Sequence, residues 1–241
     1  SLFLCVLRCG IFWNYLEESE LRPVVREEYR PPCSQIYVRD QKNLLFEVTY
    51  YKKRINFETY HALTDGTGAL QFLRSLVYYY LMEAYPDRVK GPVSQVQADA
   101  TDEEMAEDSF DKYYSDREAI EDIPRYKSHQ LKYHRLEYGQ MRLVEGIVPT
   151  EALVRTARSF QTTVTVYLTA VFLCAIARDM SPRQKKRPVA LMIPVNLRSY
   201  FPSSSVRNFF GWIDIGYNFS EQSEKLEDVI PFTSEFFKKE L

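Results

Sequence analysis

One short segment, His61-Ala62-Leu63-Thr64-Asp65-Gly66, brings together residue types that could do chemistry at close spacing. A histidine can take up a proton near neutral pH, since the unperturbed imidazole has a pKa of about 6.5. At the end of a strand such a side chain can be held facing a cleft. Asp65, four residues on, can turn back and brace the loop, directly or through a buried cation. Gly66 and Gly68 permit backbone conformations and close approaches that a side chain would block. Acyl transfer from a thioester asks for little more than a base for the incoming hydroxyl or amine and a donor for the oxyanion. The plainer alternative is a strand-end histidine bonded to the backbone, with Asp65 as the N-cap of the next helix.

The elements around this segment can be read from spacing. Leu44 to Lys52 is β-rich, with Phe46, Val48 and Tyr50 on one side. Arg54 to Tyr60 repeats the alternation through Ile55, Phe57 and Thr59. The two predict an antiparallel hairpin turned at Lys52 and Lys53. Ala69 to Tyr85 has apolar residues at Leu70, Leu73, Leu76, Val77, Tyr80, Leu81 and Ala84, which is helical spacing. Pro86 stands just beyond, where helices stop. A strand therefore delivers the histidine, and a helix leaves from the glycines.

Elsewhere, residues 1 to 16 read as strand-like segments around Gly10. Glu17 to Pro32 is charged and proline-bearing, hence loop or edge. The acidic tract Asp99 to Asp122 reads as a solvated surface excursion with room for a short helix, or as a lid. Gln130 to Val148 returns to alternation, as a strand would. Thr150 is the expected N-cap of one helix, and Thr163 or Thr165 starts another that ends before Pro182. Pro188 to Pro194 is a continuous apolar run, as in a strand buried on both faces. Phe209 to Phe219 reads as a strand, and Glu221 to Leu241 as an acidic amphipathic helix. The resulting order is β-β, the His61 segment, α, a long loop, then β-α-α-β-loop-β-α, and a seam near 140 to 150 would divide two α/β units.

A second feature joins the first. Pro194-Val195-Asn196-Leu197-Arg198 follows the apolar run, and Asn208-Phe209-Phe210-Gly211 follows a short polar loop. Here the chain resembles the chloramphenicol acetyltransferase-like superfamily of HxxxDG acyltransferases. That superfamily includes condensation domains, plant BAHD acyltransferases and bacterial alcohol acetyltransferases, and the segments YHALTDGTGALQFL and IPVNLRSYFPSSSVRNFFG look nearest to the last. The resemblance implies an α/β (α+β two-layer) fold of two similar lobes, each a mixed sheet flanked by helices. Residues 1–145 would be the first, incomplete in front, and residues 146–241 the beginning of a second, incomplete behind. It implies His61 as general base, Asp65 as mainly architectural and paired with Arg198, and Gly66 at the turn. Asn196, Asn208 and Gly211 would support the site and shape the cleft. It also implies acetyl-CoA or another acyl thioester as co-substrate, with no permanently bound cofactor, no metal and no covalent intermediate. The acceptor would be an alcohol or an amine, and a carrier protein could supply the donor. The same fold used without catalysis, to bind an acyl chain, a carrier domain or a partner, is the alternative. Tyr60 stands where condensation domains carry a second histidine, which argues against peptide-bond synthesis. Phe209-Phe210-Gly211-Trp212 matches the plant DFGWG motif only loosely.

Bulk properties set the outer bounds. The 241 residues are 45% hydrophobic and 27% charged, with net charge −2, which argues against an electrostatic footprint for nucleic acid. The basic run Arg183 to Arg187 reads as a solvated loop. Cys5, Cys9, Cys33 and Cys174 match no zinc or CxxC spacing, and a reducing cytoplasm is the simplest setting for them. His129 and His134 have neither helical metal-ligand spacing nor acidic companions. Ser1 to Trp13 lacks a basic leading region, and Val164 to Ala177 is too short to span a bilayer.

Overall fold

The computed structural model describes residues 3–39, 41–89, 101–115, 127–133, 136–137 and 141–241. They gather into two compact units. The first draws on Ser1–Asp116, Leu136–Leu143 and Asn196–Phe210. The second draws on Arg117–Arg135, Val144–Val195 and Gly211–Leu241.

In the first unit, β1 (Cys5–Cys9) and β2 (Asn14–Glu18) form an antiparallel hairpin. The proline-bearing stretch contributes only a two-residue edge strand, β3 (Arg26–Glu27), parallel to β4 (Phe46–Tyr51). β5 (Arg54–Thr59) pairs antiparallel with β4, from Phe46 opposite Thr59 to Tyr51 opposite Arg54. The loop is Lys52-Lys53, as the spacing predicts. Lys52 has a φ of 54°, the left-handed conformation that two-residue hairpin loops require. The sheet β3-β4-β5 is therefore mixed.

Helix α1 (Gly66–Ala84) starts three residues earlier than the apolar spacing predicts, because Asp65 caps it. The expected stripe is kept in part: Leu76 leans on the core, joined by Phe72, which the spacing does not include, whereas Leu70 and Tyr80 are about half exposed. The Phe72 ring lies 4.4 Å from Phe3, 4.7 Å from Phe57 and 5.4 Å from Phe46. This aromatic cluster ties α1 to the sheet, each buried ring contributing about 1.5–3 kcal/mol.

The described part of the acidic tract stays largely at the surface, and the short helix it has room for is in fact two, α2 (Asp102–Ala106) and α3 (Ser109–Tyr113). A capping box opens α2: Glu104 N–H donates to Thr101 Oγ1 and Thr101 N–H to Glu104 Oε2. Both helices hold the 201–209 segment, so the described part of the tract buttresses it. Residues 99–100 and 116–122 of the tract lie outside the described residues.

In the second unit, α4 (Thr150–Ser159) has Pro149 rather than Thr150 at its N-cap, with no side-chain cap. Thr163 caps α5 (Val164–Arg178) through its Oγ1. β6 (Val189–Asn196) pairs with β7 (Phe210–Tyr217). β6 is not buried on both faces. Its exposure alternates, and Met192 is 63% exposed, because helices cover only one face of the two-stranded sheet. Val189, Ile215 and Tyr217 on that face meet Ala170, Leu173 and Ala177 of α5. Val229 and Ile230 of α6 (Leu226–Glu240) complete the core. That helix begins five residues later than expected, since Asn218 accepts from Glu221 and Gln222 N–H in a preceding turn. The strand expected within Gln130 to Val148 does not form among the described residues. Val144 and Ile147 are 93% and 98% exposed and pair with no neighbour strand.

Among the described residues no single helix is long and apolar enough to cross a membrane. Only α4 and α5 together pass by composition, and they are bent by 83°. All four cysteines are free thiols.

Candidate active site

All the expected site residues except Gly211 lie in the first unit, at the junction of β5, α1 and the 196–210 segment. After Thr59 the chain leaves the sheet, held by Tyr60 N–H donating to the Leu45 carbonyl, 2.7 Å. Leu63 N–H then bonds back to the Tyr60 carbonyl, 2.9 Å, closing a turn with His61 on its outside. Leu63 itself is fully buried, so an apolar anchor and a backbone turn present an exposed imidazole.

Asp65 uses both carboxylate oxygens. Oδ1 accepts the N–H groups of Thr67 and Gly68, each at 3.0 Å, which caps α1. No other acid stands in that first turn, so this carboxylate alone meets the positive end of the helix dipole. Oδ2 accepts from Arg198 Nη1 at 2.7 Å and from Phe209 N–H at 2.9 Å. Asp65 is 5% exposed. Burial alone would raise its pKa. Hydrogen bonds from Phe209 N–H, Gly68 N–H and the Arg198 guanidinium outweigh burial, and the carboxyl stays below its usual range.

Arg198 does more than pair a charge. Its Nε and Nη2 donate to the Ser205 carbonyl at 3.0 and 2.8 Å, and Nη2 donates to the Arg207 carbonyl at 2.6 Å. Nη1 also reaches the Phe209 carbonyl and Asn196 Oδ1, both at 3.3 Å. Asn196 Oδ1 accepts from Arg198 N–H at 3.2 Å as well, fixing the short turn that aims the guanidinium. The planar fork thus gathers the carbonyls of an irregular segment that would otherwise need other donors.

That segment is gripped from two sides. Thr64 Oγ1 donates to the Val206 carbonyl at 2.5 Å, and Val206 N–H donates to the Met105 carbonyl at 2.9 Å. Ser205 Oγ donates to the Glu107 carbonyl at 2.6 Å. Tyr113 Oη donates to the Pro202 carbonyl. The buried Phe209 ring lies between Phe110, 5.2 Å edge-on, and Tyr113, 6.0 Å stacked. Thr64, Ser205, Val206, Phe110 and Tyr113 carry no motif signal. Their roles rest on contacts roughly a hundred residues apart in sequence. The close approach falls on Gly68: a Cβ there would collide with Thr64 Oγ1 and the Val206 carbonyl. A Cβ on Gly66 would meet nothing within 4 Å.

Asn208 Nδ2 donates to the His61 carbonyl at 2.8 Å, and the Phe210 ring stands edge-on to the His61 imidazole at 5.4 Å. His61, Asp65, Gly66, Asn196, Arg198 and Asn208 are therefore brought to one place in the first unit. Gly211 is the second residue of β7 and belongs to the other unit.

With this geometry, the likeness to a solved structure is informative. Polyketide synthase associated protein 5 from Mycobacterium tuberculosis superposes with a TM-score of 0.54 over 99% of this chain, at 14% sequence identity. The shared architecture is the chloramphenicol acetyltransferase-like fold, with small sheets flanked by helices. This chain spans 62% of the length of that protein. Residues 134–223 match the family described as "Phthiocerol/phthiodiolone dimycocerosyl transferase C-terminus". No curated protein sequence matches the chain significantly. The 134–223 match takes in β6, Arg198 and Asn208, while His61 and Asp65 precede it. Among the described residues no cluster of three or more His, Cys, Asp or Glu could hold a metal ion. His134 lies outside the described residues.

Proposed function

We propose that the protein is an acyltransferase in which His61 is the general base. A ring nitrogen of His61 takes the proton from the acceptor's hydroxyl or amine as that atom attacks the thioester carbonyl carbon. The C–S bond breaks when the tetrahedral intermediate collapses. The departing thiolate takes a proton from the imidazolium, giving an ester or amide and a free thiol. One displacement suffices, with no acyl-enzyme. The observation that carries this proposal is the division of labour in the loop. Asp65 spends both oxygens on α1, Arg198 and Phe209, so it serves as a brace, while the imidazole beside it stays exposed.

The donor is proposed to be an acyl thioester, on CoA or on a carrier protein. The names of the matching family, a dimycocerosyl transferase C-terminus, and of the similar structure, a polyketide synthase associated protein, favour a long polyketide-type acyl group over acetyl. They favour a hydroxyl acceptor for the same reason. The test is a panel of acyl-CoAs from acetyl to long-chain, offered with alcohols and amines to the full-length protein and read by mass spectrometry of the product. An ester whose yield rises with acyl length supports the proposal. Product with acetyl-CoA alone would return the donor to acetyl. Tight acyl-thioester binding without product would mark a binding module.

A further inference from the structure

Three consecutive residues, Asn208, Phe209 and Phe210, each contact the His61 loop by a different means. Phe209 N–H holds Asp65, which sets the loop's base. The other two act on His61 itself: Asn208 Nδ2 holds its carbonyl and Phe210 flanks its ring. Bonding to a backbone carbonyl fixes where the Cα–Cβ bond points, and an aromatic edge beside the imidazole limits its rotation. Asn208 shows a further sign of specialisation. Its Oδ1 is buried and has no hydrogen-bond partner. An acceptor left unpaired in a buried place is costly, and such groups are rare outside sites where another demand prevails. Here that demand is the orientation of the amide, whose Nδ2 must face the His61 carbonyl.

We infer that Asn208 and Phe210 are positioning residues for the His61 imidazole, Asn208 by tethering the backbone and Phe210 by limiting ring rotation. Neither need touch substrate. The inference rests on the proposal that His61 is the base, but its structural half can be tested without it. The segment holding both residues is itself fixed by Arg198 and by α2 and α3, so the two are presented on a braced support rather than a free loop.

The decisive variants are Asn208→Asp, which keeps the shape but loses the donor, and Phe210→Leu, which keeps bulk but loses the flat edge. Each is made in the full-length protein beside His61→Ala. Two readouts are taken: kcat against KM for acyl transfer, and the His61 χ1 rotamer population by NMR from its Hα–Hβ couplings, assigned by their loss in His61→Ala. The expected result is a fall in kcat of roughly 10- to 100-fold, as small misplacements of a reacting group produce, with KM within about twofold. The His61 side chain should occupy one χ1 rotamer in the parent and several in both variants. An unchanged single rotamer in well-folded variants would overturn the inference, whatever the protein catalyses. So would a kcat within about threefold of the parent while His61→Ala is inactive. If His61→Ala keeps full activity, the base assignment fails, and the rotamer population alone decides whether the positioning exists. Should Asn208→Asp not fold, Phe210→Leu carries the same test.

Discussion

Asp65 and Arg198 stand 133 residues apart in sequence and meet at 2.7 Å, with the side chains 6% and 10% exposed. Paired in this way, each justifies the burial of the other. Taking one away leaves an uncompensated buried charge. Arg198→Ala should therefore cost about 3–5 kcal/mol of stability, measured as a shift in the urea midpoint. Arg198→Lys should recover little of it, because a single ammonium cannot reproduce bonds to Asp65, Ser205 and Arg207 at once. A lysine variant as stable as the parent would show that the fork is not needed.

Gly68→Ala should be damaging and Gly66→Ala tolerated. The first places a methyl group against Thr64 Oγ1 and the Val206 carbonyl, and the second meets open space. Overpacking of this kind costs about 1–3 kcal/mol. Thermal unfolding of the two variants should rank them in that order. The reverse order would place the crowded glycine elsewhere.

Acid should weaken this loop in a defined direction. The folded-state pKa of Asp65 is lowered, since hydrogen bonds outweigh the effect of burial. Its contribution is complete above the unfolded aspartate value, about pH 4. It is lost as pH falls through the lower folded value. Asp65→Asn should be less stable at neutral pH, and its deficit should shrink as pH drops below about 4. A deficit that stays constant from neutral to acid would remove the ionised carboxylate from the explanation.

The hairpin β4-β5, its two-residue turn and the helix after the glycines were legible because alternation and helical spacing are local properties of the chain. The partnership of Asp65 with Arg198 came from the family resemblance, and the coordinates supply its distances. The role of 101–115 was hidden. Its acidic composition resembles a solvated loop, and α2 and α3 are only five residues each. The capping box at Thr101 and Glu104 is a readable helix start, but nothing local says that Met105, Phe110 and Tyr113 will meet Val206 and Phe209. The strand expected near Gln130 to Val148 does not form among the described residues for the converse reason: alternating apolar residues form no strand without a neighbour to pair with.

Loosening the buttress should be felt at the site. Phe209→Ala removes the ring held between Phe110 and Tyr113, at a cost of about 3–5 kcal/mol. It should also lower the affinity of the 201–209 segment for α2 and α3, so limited proteolysis should cut there sooner than in the parent. Unchanged protection would mean that the backbone bonds at Ser205 and Val206 hold the segment alone.

The most direct measurement is acceptor-dependent thiol release from an acyl thioester by the full-length protein, compared with His61→Ala under the same conditions. Loss of a general base predicts a fall of about 10²- to 10⁴-fold with the fold intact. Equal release by both proteins, or release that ignores the acceptor, would contradict His61 as the base of an acyl transfer.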